Sequence, residues 1–160
     1  MKQHILFRRP RRSTRGSVLV ETVLGVVVLT TFAFGIVEVG WYYRDAQILN
    51  TFARDYARDL STGMSTTLSL TQIQNSNTVG SGLLLGNGLS SSNFTALYST
   101  DDGATFPTTN VVTNDASGAK NSTNIGSMIM VTVTYQHSRI TGLFGRGTVP
   151  MQTSSIMMRQ

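Results

Sequence analysis

The chain has 160 residues and a mass of 17.4 kDa, enough for one domain with a modest core. Apolar residues make up 40% and charged residues only 13%, so a charged disordered tail is excluded, and with no cysteine so are disulfides, thiol catalysis and Cys-based zinc. The formal charge of +5 is unevenly placed: Lys2, Arg8, Arg9, Arg11, Arg12 and Arg15 precede every acid, and the remainder of the chain sums to −1. A nucleic-acid interface would spread basic residues over a folded face. Here the charge is a terminal tag, and no nucleic-acid partner is expected.

The tag runs straight into SVLVETVLGVVVLTTFAFGIVEV, Ser17 to Val39, with Glu21 and Glu38 as its only charges. The uncharged stretch Thr22–Val37 would measure about 24 Å as a helix, short of the roughly 30 Å of a bilayer core. A membrane span must therefore include Ser17–Val20, which puts Glu21 inside the membrane or at its edge. The run is too long for a strand, and in lipid its β-branched residues do not disfavour a helix that bonds internally. Arg8, Arg9, Arg11, Arg12 and Arg15 hold the N-terminal side in the cytoplasm. Ordinary signal cleavage would need small residues after the run, and neither Phe32-Ala33-Phe34-Gly35 nor Val37-Glu38-Val39-Gly40 supplies them well.

A carboxylate in a spanning helix costs a few kcal/mol unless it lies near an interface, and it usually has a purpose. Glu21 follows Arg15-Gly16-Ser17-Val18-Leu19-Val20, and would be the fifth residue of a product cut after Gly16. This arrangement resembles the class III signal peptide of type IV pilins. The segment from Arg15 to Ser61 is similar to TadE-like pseudopilins of the tight-adherence (Tad/Flp) system. Arg-Gly-Ser, Glu21, Phe34-Gly35-Ile36-Val37-Glu38 and the Ala53-Arg54…Ala57-Arg58 repeat carry the likeness. Thr22 stands where the family more often has Phe.

The resemblance implies that a prepilin peptidase cuts between Gly16 and Ser17 on the cytoplasmic side. It implies an inner-membrane assembly platform and other pilin-like subunits, packed helix to helix, as partners. In such a stack, Glu21 of an incoming subunit can neutralise the new Ser17 amine of its neighbour and set the register, since either charge alone in the bundle would be costly. Principal subunits of this class are little more than the apolar helix. The domain after this helix therefore argues for a minor subunit, one that recognises its partners through strand edges near residues 128–158.

Beyond the span, Tyr42, Ala46, Leu49, Ala53, Tyr56, Ala57 and Leu60 recur at helical steps, opposite Arg44, Gln47, Thr51, Arg54, Asp55 and Arg58. One helix from Ser17 to Leu60 is expected, with Gly63 as its terminator. Trp41, Tyr42 and Tyr43 fall where it should leave the bilayer, as a membrane-interface belt would. Core packing of one or more of these rings is equally natural.

Forty of the sixty-seven residues 61–127 are Ser, Thr, Asn or Gly, which favours a loop-rich, strand-poor region. A short helix is expected over Thr66–Gln74 and strands over Phe94–Ser99 and Thr105–Thr113, with Asp101-Asp102-Gly103 as the hairpin turn. Two adjacent acids are too few oxygen ligands for calcium. Met128–Gln136 alternates Ile129, Val131, Val133 and Tyr135 with polar partners, and Thr148–Met158 can return beside it after a Gly-rich connection.

Catalytic constellations are missing from this sequence. His137 falls at a strand end or in a loop and reads as a solvated histidine, no G-x-S-x-G elbow is present, and the seven methionines read as core fillers. Asn93-Phe94-Thr95 and Asn121-Ser122-Thr123 match glycosylation acceptors. The expectation is an α+β, pilin-like protein with no enzymatic activity and no cofactor or metal. Residues 1–16 are a basic leader, 17–61 a long helix spanning the membrane in its first half, and 62–160 an extracytoplasmic domain, periplasmic or on the surface. Its role would be structural, in pilus assembly, adhesion or secretion. The alternative is an unprocessed single-pass inner-membrane protein with an extracytoplasmic binding domain.

Overall fold

Two different apolar patterns lie along one continuous helix, and each half of that helix meets a different environment. The computed structural model describes residues 15–78, 89–142 and 145–160. Helix α1 spans Arg15–Ser61. Along its first half every Val, Leu, Ile and Phe from Val18 to Val39 is exposed. Thr22 and Thr31 donate their hydroxyls to the carbonyls of Val18 and Val27 at 2.9 and 2.8 Å, so these two polar side chains need no outside partner. So large a bare apolar surface is what a helix built for lipid or for other helices presents.

The second half carries a buried stripe of Leu49, Ala53, Tyr56, Ala57 and Leu60, each 3% exposed or less. The stripe lies on a three-stranded antiparallel sheet of β1 (Phe94–Ser99), β2 (Met128–Ser138) and β3 (Thr148–Met158), in that order. The inward residues of β2 are those its alternation predicts: Ile129, Val131 and Val133 are fully buried and Tyr135 nearly so. Registers run Phe94↔Val133 to Ser99↔Met128 on one side of β2, and Met128↔Met158 to Ser138↔Thr148 on the other. A long helix on a small antiparallel sheet is the expected α+β architecture.

Gly63 ends α1 with φ +91, a backbone state that L side chains rarely adopt. The free carbonyls at this end are met from across the domain. Asn121 Nδ2 donates to Leu60 and Met64 O at 2.7 and 3.0 Å. The Gln160 amide and an Arg159 guanidinium nitrogen both reach Ser61 O, at 2.9 and 3.1 Å. Helix α2 (Thr66–Thr78) begins at the fully buried Ser65, whose hydroxyl accepts from the Leu68 amide. It runs four residues past the expected end.

Several expectations are corrected. No strand forms over Thr105–Thr113: Pro107 has no N–H to give and Thr105 is held by Asp101, so only two backbone bonds tie the segment to β1, Tyr98 N–H to Asn110 O and Val112 N–H to Ala96 O. Asp101-Asp102-Gly103 does turn the chain, with Asp102 at φ 53, but the main partner of β1 is β2. Because β2 is the central strand and β1 covers its Met128–Val133 edge, an open edge near 128–158 is left to β3 and to the Thr134–Ser138 part of β2 that runs past the β1 register. Asn121 is only 5% exposed and caps α1, so the folded chain withholds that glycosylation acceptor.

Candidate functional site

The expected processing and assembly residues lie at the start of α1. Gly16 and Ser17 are exposed in its first turns, and Glu21 is exposed on the same helix. Arg15 opens the helix; Arg8, Arg9, Arg11 and Arg12 lie outside the described residues. Within one chain, Ser17 and Glu21 are separated by about one turn of the same face. Both side chains are open to the surroundings of the helix.

The three rings further along do not act alike. Tyr43 is 65% exposed, and Trp41 is half-buried with the Arg44 guanidinium carbon 4.6 Å from its ring centre, a cation–π stack. Tyr42 instead turns toward the sheet, its ring edge-on to His137 at 5.7 Å. Tyr43 and part of Trp41 thus face outward, while Tyr42, 39% exposed, meets the domain with one side of its ring.

His137 is the clearest departure from expectation. It lies at the end of β2, one of the two placements expected, but instead of being solvated it is 1% exposed and bonds through Nδ1 to Asp45 Oδ2 at 2.7 Å. Asp45 is fully buried on α1. Burial first, and the Asp45 carboxylate second, push the Tyr135 hydroxyl above its usual pKa. Two turns earlier on the same face, Glu38 is 8% exposed and bonds to the far end of the sheet. Its Oε2 accepts from the Thr141 amide and hydroxyl, both at 3.0 Å, and Oε1 accepts from the Ile140 amide at 3.2 Å.

Glu38 and Asp45 thus pin the β2–β3 end of the domain onto the helix. Beside them lies a shallow, mainly apolar cleft of about 190 Å³, lined by Glu38, Val39, Tyr42, His137, Arg139 and Val149. One signal for these acids was present in the sequence: positions 38, 42, 45, 49, 53, 56 and 60 advance by three or four, so both acids share the phase of the buried stripe. Among the described residues no group of three His, Cys, Asp or Glu could hold a metal ion. The chemistry available is anchoring: carboxylates fixing a sheet to a helix.

Residues 16–58 match the family model described as TadE-like protein. The match covers most of α1, including Gly16, Ser17, Glu21 and both anchoring acids, and stops before α2 and the sheet. The TadE-like family is a structural family associated with Tad pilus systems and their components. No curated protein and no solved structure matches the chain.

Proposed function

We propose that this chain, TadE-like over residues 16–58, is a minor pilin or pseudopilin of a tight-adherence pilus or a related secretion machine. The observation that carries the reading is the division of α1. Its family-matched first half is bare of every intramolecular contact that would bury it, and the domain packs only from Glu38 onward. Such a helix has a face for lipid before assembly and for neighbouring helices afterwards, while a polar domain stays outside the membrane.

Prepilin peptidase cuts between Gly16 and Ser17, removing all six leader charges and leaving the apolar helix attached. The freed Ser17 amine and Glu21 of an adjoining subunit then pair in the low-dielectric bundle. The domain lies on the side away from the cytoplasm, because the arginine cluster holds the other end in. A sheet and a second helix after α1 are too bulky for the principal subunit of a thin filament, which favours a rare priming, tip or platform-bound position.

Intact-mass measurement on the membrane fraction tests the reading. A mature chain beginning at Ser17 is expected; one beginning at Met1, or near Gly40, overturns it. A reporter active only outside the cytoplasm, fused after Gln160, should be on.

A further inference from the structure

We infer that the β2–β3 turn, at its described residues 139–142 and 145–147, is a second membrane contact, in which Ile140 enters the headgroup boundary and Arg139 and Arg146 meet lipid phosphates. The inference rests on the membrane-spanning reading of α1 and adds a surface to it. Its basis is a measurement along the helix. Starting from Ser17 and rising about 1.5 Å per residue, α1 reaches Glu38 after about 32 Å. A hydrocarbon core is about 30 Å thick, so Glu38 sits where the helix leaves the acyl chains.

The hairpin tip is tied to that level. Ile140 and Thr141 donate their backbone N–H groups to the Glu38 carboxylate, and the Asp45–His137 bond fixes the adjacent end of β2. Ile140 and Thr141 therefore cannot stand away from the membrane unless these buried bonds break. What the turn presents at that level suits a lipid surface. Ile140 is 47% exposed although its amide is anchored, and Arg146 is exposed. The Arg139 guanidinium runs along the turn beside Gly145.

Charge placement points the same way. Outside the leader the chain has seven basic residues, and Arg139 and Arg146 both fall in this one turn. Arg44 stacks back over Trp41 and so carries a third positive charge toward the same layer. The acids nearby, Glu38 and Asp45, are buried and engaged. An apolar side chain flanked by arginines at headgroup depth is the pattern of an interfacial contact with anionic phospholipid.

The chain has no cysteine, so single labels can be placed cleanly. Full-length Val27→Cys, Ile140→Cys and Ile125→Cys variants carry an environment-sensitive fluorophore in phosphatidylcholine–phosphatidylglycerol vesicles. Ile125 is 78% exposed at the opposite end of β2 and serves as the aqueous reference. The expected result is iodide quenching at position 140 about threefold or more below that at 125, with strong quenching by a headgroup nitroxide. Equal iodide access at 140 and 125, with 27 protected, overturns the hairpin contact and leaves the span intact. Iodide access at 27 overturns the span itself. Adding Arg139→Gln and Arg146→Gln should reduce headgroup-nitroxide quenching at 140; unchanged quenching overturns the phosphate contact.

Discussion

Asp45 on the long helix and His137 on the central strand, 92 residues apart in sequence, share a 2.7 Å hydrogen bond that solvent does not reach. Their remaining polar atoms, Asp45 Oδ1 and His137 Nε2, are buried with no hydrogen-bond partner among the described residues. The pair gives up hydration on both sides for one bond, so it is a poor source of stability but a strong determinant of register. A sheet that slid along α1 by one turn would strand both groups.

Removing one partner should be costly, and removing both should not. Asp45→Ala leaves His137 buried without its acceptor and should lower stability by about 3 kcal/mol. Asp45→Leu combined with His137→Phe should recover most of that loss. Thermal denaturation of the detergent-solubilised chain separates the two. A double variant as unstable as the single one would mean that packing, not the orphaned group, dominates.

Glu21→Ala should insert in the membrane and be cleaved after Gly16, yet fail to enter an assembly with other pilin-like subunits. The exposed position of Glu21 predicts no loss of fold in the isolated chain. Co-purification with partner subunits is the measurement. Normal incorporation of the variant would refute a role for this carboxylate in register.

Asp101 offers a local pH dependence. The Ser99 hydroxyl first, then the side chain and backbone of Thr105, hold its carboxyl at about 2, below the usual 3.8. A depressed pKa means that the order it lends the 99–105 turn is complete above the ordinary carboxylate range and is lost as pH falls toward about 2. Hydrogen exchange at the Gly103 and Thr105 amides, which donate to Ser99 Oγ and Asp101 Oδ1, should accelerate relative to the core over that window. In Asp101→Ala the acid-dependent component should vanish.

Gly63→Ala should destabilise the end of α1 by about 1–2 kcal/mol, because its φ of +91 is strained for alanine. A Cβ there would also run into the Arg159 guanidinium, which reaches Ser61 O. Truncating that side chain with Arg159→Ala should relieve the clash but not the backbone strain. Thermal melts of the two single variants and their combination give the split.

A scarce subunit should be scarce in sheared filaments. Quantitative mass spectrometry is expected to find this chain far below the principal pilin, while its deletion abolishes filaments. Comparable abundance would overturn the minor assignment and leave the pilin reading standing.

Local sequence determined the elements whose forces are themselves local. The apolar run, the stripe from Leu49 to Leu60, the terminator Gly63 and the alternation of β2 each follow from burial at a fixed period, so their positions could be read directly. The family motif around Gly16 and Glu21 is local in the same sense. The helical phase of Glu38 and Asp45 was in the sequence, but tertiary structure decided which partners they and His137 meet. Each is a polar residue that sequence reading assigns to water by default, and each is buried because a partner some hundred residues away satisfies it. The failed strand at Thr105–Thr113 has a related cause. Its apolar residues suggest extension, but the competing bonds of Asp101 and the missing donor of Pro107 hold the chain in turns. Where a hydrogen bond must reach across the fold, the physical information lies in the pairing, and the pairing exists only once the helix and the sheet have met.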